Sequence, residues 1–242
     1  MTVTVVTVVY NCEDTIEETI KSVLSQTYPH IEYIIIDGAS KDNTLDIINK
    51  YEDQIDVIVS EKDKGIYDAM NKAIQMATGE WINFMNAGDS FASDDVLSKI
   101  FEGHDVSDYD FIYGEHYWKD SDTKHLVKTR PLELMWQKIC FSHQSLFSRT
   151  NLMKDKPYDL AYKIVCDYEN YFSRYMEGKK FLKVDFPIAV FLAGGFSDIN
   201  FMGRTKERYK VVSQYHNSFK VKKYYLNTIV QYYLNKIKKR IK

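Results

Sequence analysis

From Val3 to Asp89, short β-branched or apolar runs alternate with segments whose apolar residues recur every three or four positions, and no other feature restricts the fold as much. Val3 to Val9 reads as a strand, and Cys12 to Gln26 as a helix with Ile16, Ile20, Val23 and Leu24 on one face. Ile31 to Ile36 and Asp42 to Tyr51 repeat this unit. Ile55 to Val59, the helix-like Ile66 to Ala77 closed by Gly79, and Trp81 to Met85 extend it. Four strands alternating with three helices predict an α/β fold whose parallel sheet is covered on both faces. Ligands of such sheets bind beyond the carboxyl ends of the strands. The segments there are Tyr10-Asn11, Asp37 to Ser40, Glu61 to Gly65 and Asn86 to Asp89, and all four are polar.

Beyond residue 103 the pattern is less regular. A strand is expected at Tyr109 to Tyr113, a hairpin near Glu115 to Val127, a helix from Val165 to Glu177 and a strand at Ile188 to Leu192. Residues 203–242 read as one or two helices. They hold twelve Lys and Arg against the single acid Glu207, a net of +11, which leaves −13 for the rest of a chain whose total is −2. Such a tail suits an anionic membrane surface, a contact with the acidic body, or a homodimer contact, and basic character confined to one end argues against a nucleic-acid partner. Three cysteines without CxxC spacing indicate neither a disulfide framework nor a zinc site, and the N-terminus has no basic leader, so a cytoplasmic protein without signal peptide is expected. No 18-residue apolar stretch is present to span a bilayer. The absence of GxGxxG after the first strand argues against a dinucleotide enzyme.

The strings Thr7-Val8-Val9-Tyr10-Asn11, Ser22 to Tyr28, Ile36 to Thr44, Asp63 to Asn71, Gly79 to Ile82 and Asn86 to Asp89 together resemble the N-terminal half of family 2 glycosyltransferases, over about 90 residues. The resemblance implies a GT-A fold, a Rossmann-like nucleotide-binding half on a mixed, mainly parallel sheet, to which this chain's own pattern adds the C-terminal helical tail. Its expected divisions are a donor half at 1–103, an acceptor half at 104–202 and the basic tail at 203–242. It also implies a metal-dependent, inverting transfer of a hexosyl or N-acetylhexosaminyl unit from a nucleotide-sugar, with UDP the expected nucleotide. The acceptor would be a glycan or a polyprenyl-diphosphate-linked saccharide in capsule, O-antigen or similar surface polysaccharide synthesis, at the inner face of the cell membrane. The alternative is a nucleotide-sugar-binding partner with weak or no catalysis.

Each part of a nucleotide-sugar needs its own partner. Asp37 can accept from a uracil imide N–H with Ser40 beside it, or the pair can simply turn the chain and cap the next helix. Relatives often carry two adjacent aspartates here, whereas this chain has Asp37-Gly38. Val9, Tyr10 and Asn11 line the same expected donor rim. Asp63, Lys64 and Gly65, at a helix start, are placed to meet the pyrophosphate or donor sugar, and Asp68 and Asn71 either join them or form a solvated face. Asn86-Ala87-Gly88-Asp89 stands where the family has Asp-x-Asp. Asp89 is then the ligand of Mn2+ or Mg2+, with Asn86 either adding an amide oxygen or touching the ribose and Ala87 and Gly88 beside the donor; the other reading of the segment is a Gly-Asp turn before a helix starting near Ser93. Ser142-His143-Gln144-Ser145 resembles the family's His-Gln segment, which makes His143 a donor to the leaving phosphate or to an acceptor hydroxyl. In Cys166-Asp167-Tyr168-Glu169 the resemblance makes Asp167 the catalytic base, with Glu169 second in line. Gly194-Gly195-Phe196-Ser197 resembles the family's flexible segment that closes near the donor.

Overall fold

The computed structural model describes residues 1–194 and 200–241. Gly195, Phe196 and Ser197 of the expected closing segment lie outside them. Strands β1 (Val3–Val9), β2 (Ile31–Asp37), β3 (Val57–Ser60) and β4 (Trp81–Phe84) pair in parallel in the order β3-β2-β1-β4. All seven residues of β1 are buried, as a central strand with both faces covered requires. Val6, Val8, Ile34 and Ile36 enter one core, and Val3, Val5, Tyr33 and Ile35 enter the other, following the two-residue alternation of a strand.

The connecting helices are α1 (Ile16–Leu24), α2 (Thr44–Asn49) and α3 (Ile66–Met76). α1 buries Ile16, Thr19, Ile20 and Val23, and α3 buries Ala69, Met70, Ala73 and Ile74, the spacing that puts one stripe on the sheet. After the two-residue β5 (Ser90–Phe91) and α4 (Val96–Phe101), β6 (Phe111–Lys119) and β7 (Lys124–Val127) form the expected hairpin. β8 (Leu146–Arg149), which the sequence pattern does not reveal, runs antiparallel between β4 and β6 and so joins the two halves in one sheet. α5 (Thr150–Asp155) and α6 (Cys166–Met176) follow. β9 (Phe181–Leu192), longer than the strand expected at Ile188 to Leu192, pairs with β6 in parallel and with β5 antiparallel.

The basic tail forms α7 (Phe201–Tyr215) and α8 (Phe219–Ile241), both docked on the body. Glu207, the tail's one acid, accepts the backbone N–H groups of Lys163 (3.0 Å), Ile164 (2.9 Å) and Val165 (3.2 Å). α7 thus fixes the segment that leads into α6. No helix among the described residues is long and apolar enough to cross a membrane.

Candidate functional site

Parallel pairing of β1 to β4 gathers the four polar segments at one rim of the sheet. Val9 is buried opposite Asp37, and the Gly38 N–H donates to the Val9 carbonyl at 2.9 Å. Asn11 and Ala39 both take positive φ, 49° and 62°, an uncommon conformation for residues with a Cβ. Asn11 holds it by accepting the Lys41 N–H at 2.8 Å on its side chain, while its own N–H donates to the Ser40 hydroxyl at 2.9 Å.

Of the two readings open for Asp37, the structure displays the turn. Its carboxylate is fully buried and accepts the Ser40 N–H (3.1 and 3.2 Å), the Ser40 hydroxyl and the Ser60 hydroxyl (2.6 Å). Both Asp37 oxygens are thus bonded within the turn. Asp63 brings a further carboxylate to this rim. A Cβ built on Gly38 would stand 2.6 Å from Asp63 Oδ2 and 3.4 Å from the exposed Tyr10 ring, so glycine at 38 leaves room for the carboxylate of residue 63. Asp63 Oδ1 accepts the Gly65 N–H at 2.8 Å, and Asp68 accepts the Lys64 N–H at 2.9 Å, so the start of α3 is closed by its own acids and the Lys64 side chain is exposed. Asn71 is not at the rim. Its amide makes two 2.9 Å bonds with the backbone of Tyr158, which occupies it as a structural clamp.

Asp89 is buried, and burial pushes its carboxyl up to about 7, against the bonds from the Leu192 N–H (2.9 Å) and the Gln144 amide (2.5 Å). The turn before it is tight: Asn86 O accepts the Asp89 N–H, Gly88 takes φ 96°, and Thr19 accepts the Gly88 N–H and donates to the Asp89 carbonyl. Ala87 is bonded through its N–H to the Val8 carbonyl, and the Asn86 side-chain oxygen is buried without a partner. A buried carboxylate whose charge is disfavoured, on one turn with an orphaned amide oxygen, is a donor set that a hard divalent cation satisfies. Other oxygens must come from substrate and water, because no group of three acidic, His or Cys side chains suited to a metal occurs among the described residues.

Gln144, named in the His-Gln segment but given no role of its own there, connects the halves. Ser142 donates to Gln144 Oε1 at 2.6 Å, which turns the Gln144 NH2 toward Asp89. Its neighbour His143 stacks on Phe84 at the end of β4 and has Nδ1 3.0 Å from the Tyr171 hydroxyl and 4.0 Å from Asp167 Oδ2. Burial lowers the His143 pKa, with Asp167 opposing, so the ring is neutral at neutral pH, and its Nε2 is buried without a partner. Tyr67, at the start of α3, donates to Asp167 Oδ1 at 3.0 Å and lies 3.1 Å from the Ile164 carbonyl. Burial and Asp167 raise the Tyr67 pKa, so it stays a donor. Glu169, two residues on from Asp167 along α6, pairs instead with Lys156, 3.0 Å away. Asp167 and Asp89 are thus brought to consecutive residues of one turn, and Glu169 is not. Tyr67 and Tyr171 carried no sequence signal as partners of Asp167 and His143.

Residues 4–166 match the sequence model of glycosyl transferase family 2. A PGL/p-HBAD biosynthesis glycosyltransferase of Mycobacterium bovis is 33% identical over 156 residues, covering 61% of this chain and 59% of the relative. The Escherichia coli UDP-Glc:alpha-D-GlcNAc-diphosphoundecaprenol beta-1,3-glucosyltransferase WfaP is 41% identical over 99 residues, 40% of this chain and 39% of its own length. Among solved structures, S. aureus TarS 1–349 in complex with UDP-GlcNAc aligns with a TM-score of 0.71 at 19% identity, over 87% of this chain and 64% of TarS 1–349. The Pyrobaculum calidifontis mannosyltransferase PcManGT, in complex with GDP-Man and Mn2+, gives 0.67 at 17% identity, over 86% of this chain and 62% of its own. The sheet, the loops at its rim and the two-thirds of the chain matched place the protein in glycosyl transferase family 2, with the GT-A fold.

Proposed function

We propose that this chain transfers a hexosyl or N-acetylhexosaminyl unit from a UDP-sugar to a glycan or polyprenyl-diphosphate-linked saccharide, with inversion, in the synthesis of a surface polysaccharide such as capsule or O-antigen. The observation that carries the reading is the convergence of Asp89 and Asp167 on the His143-Gln144 turn. One carboxylate serves the donor's diphosphate and the other serves the acceptor. The diphosphate-linked acceptor and UDP donor printed for WfaP, and the UDP-GlcNAc bound by TarS, support the choice of substrates.

In this reading residues 1–103 bind the donor and 104–202 the acceptor. Tyr10, Asn11 and Asp63 form the nucleoside rim, with the free Asp63 Oδ2 in place of buried Asp37 as acceptor for the base. Asp89, with Asn86, would hold Mn2+ or Mg2+, which when bound offsets the charge growing on the departing diphosphate. Asp167 accepts the proton of the acceptor hydroxyl as that oxygen bonds to the anomeric carbon. The bond to the diphosphate breaks on the opposite face, and the nucleotide leaves with the electron pair. Tyr67 holds Asp167 in place, and neutral His143 offers its unpartnered Nε2–H to the leaving phosphate or the acceptor hydroxyl. The reaction takes place in the cytoplasm, at the inner face of the cell membrane.

The test is release of UDP from UDP-sugars with Mn2+, without and with a lipid-diphosphate-linked saccharide. An enzyme hydrolyses donor slowly alone and transfers once acceptor is added. The single carboxylate of the metal slot favours a second reading, a binding partner without catalysis, and binding of UDP-sugar with no UDP release under either condition would establish it.

A further inference from the structure

The tail helix α8 has two apolar faces, and only one is used by the protein. On the inner side Val221 and Tyr225 are buried, the Tyr225 hydroxyl donates to the Trp136 carbonyl at 2.8 Å, and Tyr232 stacks on Phe201 at 5.0 Å. On the opposite side Phe219, Leu226, Val230, Tyr233 and Ile237 are 80%, 62%, 45%, 52% and 54% exposed. Steps of seven, four, three and four residues put them on one line about 27 Å long. Soluble surfaces rarely keep such a line in water unless something covers it.

Charge selects the cover. Lys220, Lys222, Lys223, Lys236 and Lys238 are exposed along α8, and the helix contains no Asp or Glu. Packing α8 against the same face of a second copy would set lysine beside lysine with no carboxylate to offset them. A bilayer of anionic phospholipid meets both needs: the apolar line enters the acyl boundary, and the lysine stems reach back to the phosphates. We infer that the outer face of α8 lies in the plane of an anionic membrane while its inner face holds the catalytic body. The inference deepens the reading of a lipid-linked acceptor at the membrane, with which it shares its surface, but its test needs no transferase activity.

The experiment is co-sedimentation of the full chain with vesicles of phosphatidylglycerol and phosphatidylcholine, or of phosphatidylcholine alone. Binding should require phosphatidylglycerol and weaken with salt. Leu226→Glu with Ile237→Glu should lower the partition coefficient at least tenfold. Lys222→Gln with Lys223→Gln and Lys236→Gln should do the same, since each lysine near such a surface is worth about fivefold. These side chains are exposed, so thermal stability and UDP release should match the wild type. Absence of wild-type binding to phosphatidylglycerol vesicles, or undiminished binding of the glutamate variant, overturns the inference. So does concentration-dependent dimerisation that the glutamate variant abolishes in place of vesicle binding. Vesicle binding without UDP release would instead sink the transferase reading and leave this one standing.

Discussion

Asp89→Asn should stabilise the cation-free protein while abolishing its activity. Asp89 is 5% exposed, and burial raises its carboxyl from 3.8 to about 7. Between those values the folded chain holds a proton that the unfolded chain has lost, so stability falls as pH rises from about 4 to 7 and levels off above. A shift of about three units corresponds to about 4 kcal/mol at full ionisation. Asparagine removes that cost. It can still accept the Leu192 N–H, but its NH2 meets the Gln144 NH2, and leaving that buried donor without an acceptor costs about 1–3 kcal/mol. The balance is about 1–3 kcal/mol in favour of the variant above pH 7.5. At about 2–4 °C per kcal/mol for a chain of this size, its Tm should rise by about 2–12 °C. Thermal unfolding in excess chelator, from pH 5 to 8.5, reads the difference directly. The gap should be small at pH 5 and widest at pH 8, and Mn2+ should raise the wild-type Tm alone. A gap that does not change with pH, or a variant less stable than wild type at pH 8, refutes the reasoning.

The same variant, and Asp89→Ala, should release no UDP at any Mn2+ concentration; undiminished turnover in chelator would remove the cation from the scheme. Asp167→Asn should bind UDP with the wild-type Kd, yet transfer about 10²–10⁴-fold more slowly, whereas Glu169→Gln should keep near-normal kcat. The reverse outcome in single-turnover assays would move the base to Glu169. Tyr67→Phe removes the hydroxyl on Asp167 Oδ1 and should lower kcat about tenfold with the donor Kd unchanged; equal loss in both would mean that Tyr67 acts on folding instead. Gly38→Ala sets a methyl against Asp63 Oδ2 at 2.6 Å and should weaken UDP binding, read by calorimetry, without altering transfer at saturating donor.

What could be read from the sequence follows from how far apart the cooperating residues lie. β1 to β4 and α1 to α3 each declare themselves within eleven residues, because their apolar spacing is local. β8, no shorter than β3 or β4, follows its apolar Leu146 and Phe147 with the polar Ser148 and Arg149 and so lacks an apolar run, and β9 begins at Phe181, where Lys183, Asp185 and Pro187 interrupt the apolar run. Val184 and Ile188 are buried while Lys183 and Asp185 point outward, so the alternation is present but masked by a proline tolerated where the β6–β9 register shifts. The carboxylates of the site were legible as residue types. Their partners were not: Gln144 meets Asp89 across 55 residues and Tyr67 meets Asp167 across 100, through the docking of β8 on β4 and of α6 near α3. One polar residue did mark that docking. Asn83 lies wholly buried in the otherwise apolar β4, a placement that is costly without hydrogen bonds, and its NH2 donates to the carbonyls of Gln144 and Leu146 at 3.0 and 2.9 Å. A buried amide in a central strand has to find its partners on a neighbouring segment. Here it fixes the turn that carries His143 and Gln144, so the register of β8 and the meeting of the two carboxylates depend on the same side chain.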